Sequence, residues 1–455
     1  MISPEWYQHL SIDLPPLLTA IFVAATCALL GNLLVLRRTS LLGDAISHAV
    51  LPGIVLAFLV SGTRGSLPVF IGAALAGVCA TLLIELVGRF GRIESGAAMG
   101  VVFSVFFAAG VILIEQAAAR SVDLDADCLL HGQLETIFWY PPHDLSALLS
   151  VGTLFELPRQ LVTGMLMFGA SFLFILIFFK ELKIVSFDPA LATSLGINAT
   201  FFNVLTMVMV AGAVVASFEA VGSILVIAML IVPPATARLL TDRYNRQLYL
   251  SVLIAVLTAA VGYLTAAFGP ILLGFSNSLN TAGTIATLLG LGLASTIFLA
   301  PTHGILARRI KNRRLSTQVV AEDILGLLYR LQELKQQSVA ALPTIHEALA
   351  QQSHQPSLIA AGLRLGLTEG LLMNTTNGIS LTPLGEDRAR QVVRTHRLWE
   401  TYLVRELGLR PDHVHQTAEQ LEHFTPADIA VELGQDSGGV DPHGKRIPSP
   451  PKSGE

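Results

Sequence analysis

Apolar residues fill nine long stretches of this chain, and short polar segments separate them. A bilayer core about 30 Å thick requires about 17–25 apolar residues in a helix, and each stretch has this length. The pattern predicts nine transmembrane helices, or eight if one segment is re-entrant. The stretches are 15–36, 42–61, 67–88, 96–115, 161–179, 200–217, 219–240, 248–268 and 282–301.

The last third of the chain has a different pattern. Residues 1–301 contain 12 Lys and Arg and 16 Asp and Glu, whereas residues 302–455, half as long, contain 17 of each. Over the whole chain 52% of residues are hydrophobic and 14% are charged, outside the usual range of soluble proteins. The sequence therefore predicts a helical membrane domain followed by a soluble domain.

Basic residues mark alternate ends of the apolar stretches. Cytoplasmic loops carry the excess of Lys and Arg, so this pattern places the N-terminus outside the cell and everything after residue 302 in the cytoplasm. The N-terminal segment lacks the basic region of a secretory signal, so the first stretch is predicted to stay as a helix. The basic positions are Arg37, Arg38, Arg89, Arg92, Lys180, Lys183, Arg238, Arg243, Arg246 and the cluster Arg308, Arg309, Lys311, Arg313 and Arg314.

The long external loop, 116–160, mixes acids, histidines and aromatic residues. It includes His131, His143, Trp139 and Tyr140. Two interpretations stay open. The loop either contacts an incoming ligand partner or forms an amphipathic segment whose two aromatic residues lie at the membrane surface.

Two polar residues interrupt the second apolar stretch. Asp44 and His48, in the segment GDAISHAVLPG, are four residues apart and share one face of a helix. A carboxylate at the middle of a membrane helix costs about 2.5–3.5 kcal/mol to insert, and such residues usually face a polar cavity or an ion path. Carboxylate oxygen and imidazole nitrogen together suit a divalent metal. The pair predicts a metal path; the alternatives are an acid at a helix N-terminus and a histidine bonded to a neighbouring helix.

Two further segments contain candidate functional residues. The sequence SFDPALATSLGI, 186–197, predicts a short helix with Pro189 in its first turn and Gly196 at its end. Between two membrane helices, such a helix either docks into a cytoplasmic partner or is a plain connector. Glu219 lies at the outer end of its stretch, so it either lines the path or lies among the headgroups.

Three of these segments together resemble the metal-transporting ABC permeases. LLGDAISHAVLPGIVLAFLVSG (41–62), FDPALATSLGI (187–197) and EAVGSILVIAMLIVPPATARLL (219–240) occur in that family's order and spacing, and the resemblance covers about residues 10–305. The family moves manganese, zinc or iron with an extracytoplasmic metal-binding protein and a separate ATPase. The resemblance implies a permease in the bacterial inner membrane that pairs with a second copy or a homologous permease.

The resemblance also implies roles for individual residues. Asp44 and His48 would form a transient metal site or gate. Pro233 and Pro234 would lie in a proline-broken helix beside the path, where missing backbone donors force local irregularity. The helix that couples to the ATPase would contain Asp188, Pro189, Leu195 and Gly196.

The nucleotide-binding pattern GxxxxGK[ST] does not occur in the sequence. The chain is therefore predicted to be a transport subunit rather than an enzyme, with ATP hydrolysis supplied by a partner. Two permease copies that open alternately to opposite sides would carry the ion, bound near the mid-plane of the membrane.

The soluble tail has its own order of elements. The segments 319–334, PTIHEALA and QPSLIAAGLRLGLTEGLL have apolar residues at helical spacing. The segment MNTTNGISLT, 373–382, places Asn-Gly between short β-prone runs, which predicts a hairpin. Three helices and a hairpin in this order predict a winged helix-turn-helix.

The residues after the hairpin combine imidazoles and carboxylates at helical spacing. His396 and Glu400 share one helical face. A second face carries His415, Glu419, Glu422 and His423. These ligand types suit Mn²⁺, Fe²⁺ or Zn²⁺, although a polar helix face of this kind is also often only solvated.

Residues 381–409, 414–423 and the segment DPHGKRIP (441–448) resemble the iron- and manganese-dependent repressor family. The resemblance implies a metal-binding and dimerisation domain with two metal sites. The family's manganese sensors have a further acid one turn after the first-helix ligand, where this chain has Gly326. The first site would use Asp323, Glu419, Glu422 and His423, and the second would use His396, Glu400 and His415.

Binding of DNA is less well supported by the sequence. Duplex affinity comes largely from Lys and Arg, and segment 343–384 contains Arg364 as its one cation beside Glu347 and Glu369. The tail is therefore predicted to be a regulatory metal sensor. A membrane-tethered metal-dependent transcription regulator and a purely dimerising module are the alternatives.

The predicted fold class is an all-α polytopic membrane protein with eight or nine membrane helices, followed by a cytoplasmic winged helix-turn-helix and a helical metal-binding and dimerisation domain. The predicted divisions are a permease domain (1–305), a basic linker (306–317), a winged helix-turn-helix-like domain (318–384) and a repressor-like domain (385–455).

Overall fold

The computed structural model describes residues 12–37, 39, 42–61, 66–118, 132, 134–139, 156–272, 274, 279–351, 354–435 and 437–450. The chain forms two compact units, Met1–Ala307 and Arg308–Glu455. Both are mainly helical, which confirms the predicted fold class.

The first unit is built from long apolar helices. In order they are α1 (Leu14–Leu36), α2 (Leu42–Ser61), α3 (Ser66–Gly91), α4 (Ser95–Ala118), α5 (Arg159–Ile177), α6 (Phe179–Phe187), α7 (Pro189–Ser194), α8 (Ala199–Leu240), α9 (Tyr244–Leu272) and α10 (Thr281–Leu299). Among the described residues, eight of these helices are long and apolar enough to cross a membrane. Small and aliphatic side chains of α1, α2 and α8 form most of the core.

The 42-residue helix α8 folds back on itself at Gly222. This glycine has φ 75° and ψ 166°, a left-handed conformation that glycine adopts without a steric cost. Asn203 bonds to Arg37 at the end of α1, and the Leu230 carbonyl lies against Gly31 of the same helix. An unbroken helix would separate residues 203 and 230 by about 40 Å, whereas residues 31 and 37 lie about 9 Å apart along α1.

The reversal divides α8 into two segments, α8a (199–221) and α8b (223–240), of about 34 and 27 Å. The described residues thus contain nine membrane-length helical segments, the number predicted from the hydrophobic pattern. The break lies at the glycine and not at the prolines, because Pro233 and Pro234 keep helical dihedral angles. The expectation of irregularity at the two prolines was therefore wrong.

The prolines act instead on the packing of α8b. Pro234 has no N–H to offer the Leu230 carbonyl four residues earlier. That carbonyl lies so close to α1 that a Cβ at Gly31 would be 1.8 Å from its oxygen. Because only glycine leaves room for this contact, the missing hydrogen bond and the small residue together bring α8b against α1.

One part of the long loop before α5 lies on the helices. Leu134, Ile137 and Trp139 are buried, and the Glu135 carboxylate accepts a hydrogen bond of 2.7 Å from the Thr281 N–H at the start of α10. Trp139 therefore packs against the helices of the unit instead of pointing away from them. His131, Tyr140 and His143 lie outside the described residues.

The second unit has the predicted order of three helices, a hairpin and further helices. It contains α11 (Ile305–Lys335, which begins in the first unit), α12 (Leu342–Gln351), α13 (Pro356–Thr368), β1 (Leu372–Thr375), β2 (Gly378–Leu381), α14 (Pro383–Arg405), α15 (His415–Glu422) and α16 (Ala427–Gln435). The antiparallel strands pair Leu372 with Leu381 and Thr375 with Gly378. Aliphatic side chains of α11, α12, α13 and the hairpin form a separate core.

Candidate functional site

Asp44 and His48 lie on one face of α2, as their spacing predicts. His48 Nε2 is 3.5 Å from Asp44 Oδ1, and both side chains are partly exposed. The imidazole lies edge-on to Phe103 and Phe107 of α4, with ring centroids 5.1 and 5.7 Å away. The arrangement offers one oxygen and one nitrogen to an ion beside an aromatic wall.

The position of Asp44 along the helix differs from the expectation. The residue lies in the first turn of α2 rather than at its middle. A carboxylate there is stabilised by the positive end of the helix dipole and lies near the end of an apolar segment, so the insertion cost of a mid-membrane carboxylate does not apply in full.

The other residues predicted to line a path lie apart along α8. Glu219 is exposed three residues before the break at Gly222, and it accepts a hydrogen bond of 3.2 Å from Gln160 at the start of α5. Pro233 and Pro234 are buried in α8b.

The predicted short helix is present as α7. The Asp188 carboxylate caps it by accepting hydrogen bonds from the N–H groups of Ala190 and Leu191, at 3.0 and 2.9 Å. Pro189 is its first residue, and Gly196 follows its end with φ 82°. Leu191 and Leu195 are 49% and 61% exposed, so the helix presents apolar side chains outward.

A polar network lies beside α7, and no local sequence pattern indicates it. Arg37 donates to the Ser186 hydroxyl at 3.1 Å and to the Asn203 side-chain oxygen at 2.7 Å. Asn203 in turn donates to Glu85 at 3.3 Å. These residues belong to four different elements, so long-range contacts alone bring them together. The network borders a cavity of about 730 Å³ that Pro189 also lines.

In the second unit, a first cluster contains Asp323 of α11 with Glu422 and His423 at the end of α15. His423 Nε2 lies 3.0 Å from Asp323 Oδ1 and 3.5 Å from Glu422 Oε1. Cis ligands of a six-coordinate ion with bonds of about 2.1 Å are about 3.0 Å apart, so the donor atoms fit one divalent metal. Glu419, also predicted here, is not part of this group of donor atoms.

Neighbours of the first cluster orient its side chains. Glu322 accepts a hydrogen bond of 2.8 Å from His423 Nδ1–H, so Nε2, which faces Asp323, is the nitrogen that would bind a metal. Glu322 also accepts from Arg388. Burial alone lowers the pKa of His423, but hydrogen bonds to Asp323 and Glu322 outweigh it and raise the pKa to about 10. Glu322 directly precedes the predicted ligand Asp323, and this adjacency in the sequence could have indicated its role.

The second cluster joins His396 and Glu400 of α14 with His415 of α15, as predicted. His396 Nε2, Glu400 Oε1 and His415 Nδ1 lie 2.9–3.1 Å from one another, which also fits one divalent ion. His443, from the segment DPHG, lies 3.8 Å from Glu400 and was missed by sequence reasoning.

The environment of the second cluster favours the charged forms of His396 and Glu400. Burial alone lowers the pKa of His396, but its hydrogen bonds to Glu400 and Glu422 raise it overall. Burial would raise the pKa of Glu400, but the two imidazoles hold it well below its usual range. Glu422 touches both clusters, because its other oxygen bonds to His396 Nδ1.

Comparison with known proteins agrees with this architecture. The model of the ABC 3 transport family matches residues 11–288, and that of the iron dependent repressor, metal binding and dimerisation domain, matches residues 382–449. The manganese transport system membrane protein MntD of Bacillus subtilis (strain 168) is 38% identical over 293 residues, which cover 64% of this chain and 94% of that protein.

Two further proteins are similar. The zinc transport system membrane protein TroD of Treponema pallidum (strain Nichols) is 36% identical over 369 residues, or 80% of this chain and 96% of that protein. The solved structure of PsaBC from Streptococcus pneumoniae in complex with Fab has a chain that is 29% identical, with a TM-score of 0.52 over 68% of this chain and 100% of that chain. The chain is therefore a member of the ABC 3 transport family that carries a C-terminal domain of the iron dependent repressor type.

Proposed function

We propose that this chain is the permease subunit of a bacterial importer for a divalent metal, with manganese the leading substrate and iron or zinc the alternatives. The observation that carries the proposal is the Asp44–His48 pair in an apolar helix of a transport-family permease. Two protein ligands are few, so an ion held there can leave again. The relatives support the substrate class, since one is a manganese and another a zinc transport protein.

The proposal includes an orientation in the membrane and three partners, which the arrangement of the helices supports. With nine membrane segments, the two ends of the permease lie on opposite sides, and the excess of Lys and Arg then places the N-terminus outside and the tail in the cytoplasm. α7, with Leu191 and Leu195 exposed, is the docking helix for a separate ATPase. An extracytoplasmic metal-binding protein delivers the ion, and a second permease completes the path through the membrane.

The tail is the regulatory part of the proposal. Each cluster has three protein ligands, so the same metal stays there longer than at Asp44 and His48, and the tail reports metal supply to the transporter. We assign residues 1–305 to the permease, 306–317 to a basic connector, 318–384 to the winged helix and 385–455 to metal binding and dimerisation. The connector is helical, as part of α11.

DNA binding is the weaker alternative for the tail. Arg364 is the exposed cation of α13, the helix in the recognition position, and Glu369 lies at its end. A helix with so few cations gains little from phosphate contacts, so regulation of the transporter is favoured over regulation of transcription.

The proposal is tested in proteoliposomes that contain the permease, its ATPase and the metal-binding protein. We expect Asp44→Asn and His48→Gln each to abolish Mn²⁺ uptake, while co-purification with the ATPase is unchanged. Ser47→Ala is the matched control, because Ser47 is buried in the same helix and bonds only to its own backbone at Gly43 among the described contacts. Normal uptake by both variants would rule out the pair as a metal site.

A further inference from the structure

His354 lies outside both sets of predicted ligands and yet contacts the first cluster. Its Nε2 is 3.0 Å from Asp323 Oδ2, and its side chain is 23% exposed. The other carboxylate oxygen of Asp323, Oδ1, faces His423 Nε2. A carboxylate only accepts, so the imidazole N–H donates to Asp323, and one oxygen of the ligand is held while the other is presented to the ion.

Asp323 depends on this hydrogen bond more than it would if a second carboxylate of α11 faced the same metal site. One turn later on α11 stands Gly326, and a Cβ at that position would be 3.2 Å from the Arg330 guanidinium. That turn therefore presents a cation beside the helix and no second carboxylate. Glu322 is also on α11, but it bonds to His423 Nδ1 and Arg388. Asp323 is thus the carboxylate from α11 in the group of donor atoms.

The backbone position of His354 connects this contact to the helix-turn-helix. The residue lies between α12 and α13, and its N–H donates to the Leu349 carbonyl of α12 at 3.2 Å. The next residue, Gln355, offers its carbonyl to the N–H groups of Leu358 and Ile359 in the first turn of α13. Leu349 and Ile359 are both fully buried in the core of the unit. A displacement of His354 therefore reaches both helices.

We propose that His354 is a positioning residue of the first metal site and that its hydrogen bond to Asp323 links metal occupancy to the turn between α12 and α13. An ion orders Asp323, and the ordered carboxylate holds the turn. By reciprocity, the held turn strengthens metal binding by the same factor. Loss of a residue that orients a metal ligand typically weakens metal affinity by about 10–100-fold.

This inference rests on the proposed metal binding by the tail, and the experiment separates the two. The full chain in nanodiscs is titrated with Mn²⁺ against a competing chelator, in a His48→Ala and His415→Ala background that removes an imidazole from each of the other two candidate sites. We expect His354→Ala to weaken binding 10–100-fold and His354→Gln, which keeps an N–H donor, to restore part of it. His346→Ala is the matched control, because His346 is a half-buried histidine of α12 in the same helix-turn-helix.

Hydrogen exchange with and without Mn²⁺ gives the second measurement. We expect Mn²⁺ to slow exchange in residues 349–359 of the background protein and to have no such effect in His354→Ala, while thermal unfolding in chelator is the same for both. If His354→Ala binds Mn²⁺ with unchanged affinity, or if Mn²⁺ still protects the turn in this variant, the inference about His354 is wrong. Metal binding by the tail would stand in either case. Mn²⁺ affinity that is unaffected by His423→Ala in the same background would overturn metal binding by the tail, and the inference with it.

Discussion

Replacement of Gly31 by alanine tests the packing that places α8b in the membrane unit. The new Cβ would lie 1.8 Å from the Leu230 carbonyl oxygen, and carbon and oxygen atoms in contact are about 3.3–3.6 Å apart. The two backbones must therefore separate by about 1.5 Å. Rotation of a side chain cannot relieve the clash, because the obstacle is a backbone carbonyl.

The expected cost is that of overpacking, about 1–3 kcal/mol. For a unit of the size of Met1–Ala307, the apparent Tm of the purified permease should fall by about 2–5 °C. Gly169→Ala is the matched control, since a Cβ at Gly169 meets nothing within 4 Å. Alanine gains up to about 1 kcal/mol over glycine inside a helix, so the control should be neutral or stabilised.

The assay is thermal unfolding of both variants in the same detergent, followed by Mn²⁺ uptake in proteoliposomes. Because α8b carries Pro233 and Pro234, its displacement should reduce uptake in Gly31→Ala and leave Gly169→Ala active. If Gly31→Ala has the Tm and uptake of the control, the Leu230 carbonyl does not lie against α1, and the packing argument is wrong.

Three further predictions concern the partners and the metal. Leu195→Asp places a charge on the exposed residue that follows α7, and we expect less ATPase to co-purify with this variant. A variant that still binds the ATPase normally would contradict the docking role of α7. The pKa of His423 is raised to about 10, so this imidazole holds both of its protons near pH 7 and Mn²⁺ must displace one of them; the pKa of His396 is raised as well. Titrations of the tail sites from pH 6.5 to 8.5 should therefore show tighter binding as the pH rises, by up to about tenfold per unit for each proton displaced, and a flat profile would refute proton competition. Fluorescence anisotropy of the full chain with a duplex of its own promoter should show the same weak, salt-dependent binding with and without Mn²⁺, while tight binding only with Mn²⁺ would favour transcriptional regulation instead.

The pair in the membrane unit and the clusters of the tail suit different tasks, although they offer similar donor atoms. Asp44 and His48 offer two donor atoms at 3.5 Å with both side chains partly exposed, which suits transit. The group around His423 is buried and supported by hydrogen bonds from Arg388 through Glu322. Such hydrogen bonds orient a metal ligand and strengthen metal binding, which suits the regulatory site proposed for the tail.

The hydrophobic pattern by itself determined the membrane helices, including the two that the fold joins at Gly222. Apolar length is a local property, because each helix satisfies its own backbone hydrogen bonds in lipid. Helical spacing likewise predicted that His396 and Glu400 share a face, and Pro189 and Gly196 predicted the two ends of the short helix α7. The sequence also predicted the residues that the structure brings together in both clusters of the tail, with the exception that Glu419 is not part of the first group of donor atoms.

Only the tertiary structure decided what approaches these residues from other elements. His354 is 31 positions away from Asp323 along the chain, and Arg37 is 166 positions from Asn203, so no local pattern relates them. The contact of the Leu230 carbonyl with Gly31 arises in the same way, from two helices far apart in sequence. The periodicity of the sequence specifies which face of its own helix a residue occupies. The packing of whole helices determines which residues of other elements that face contacts.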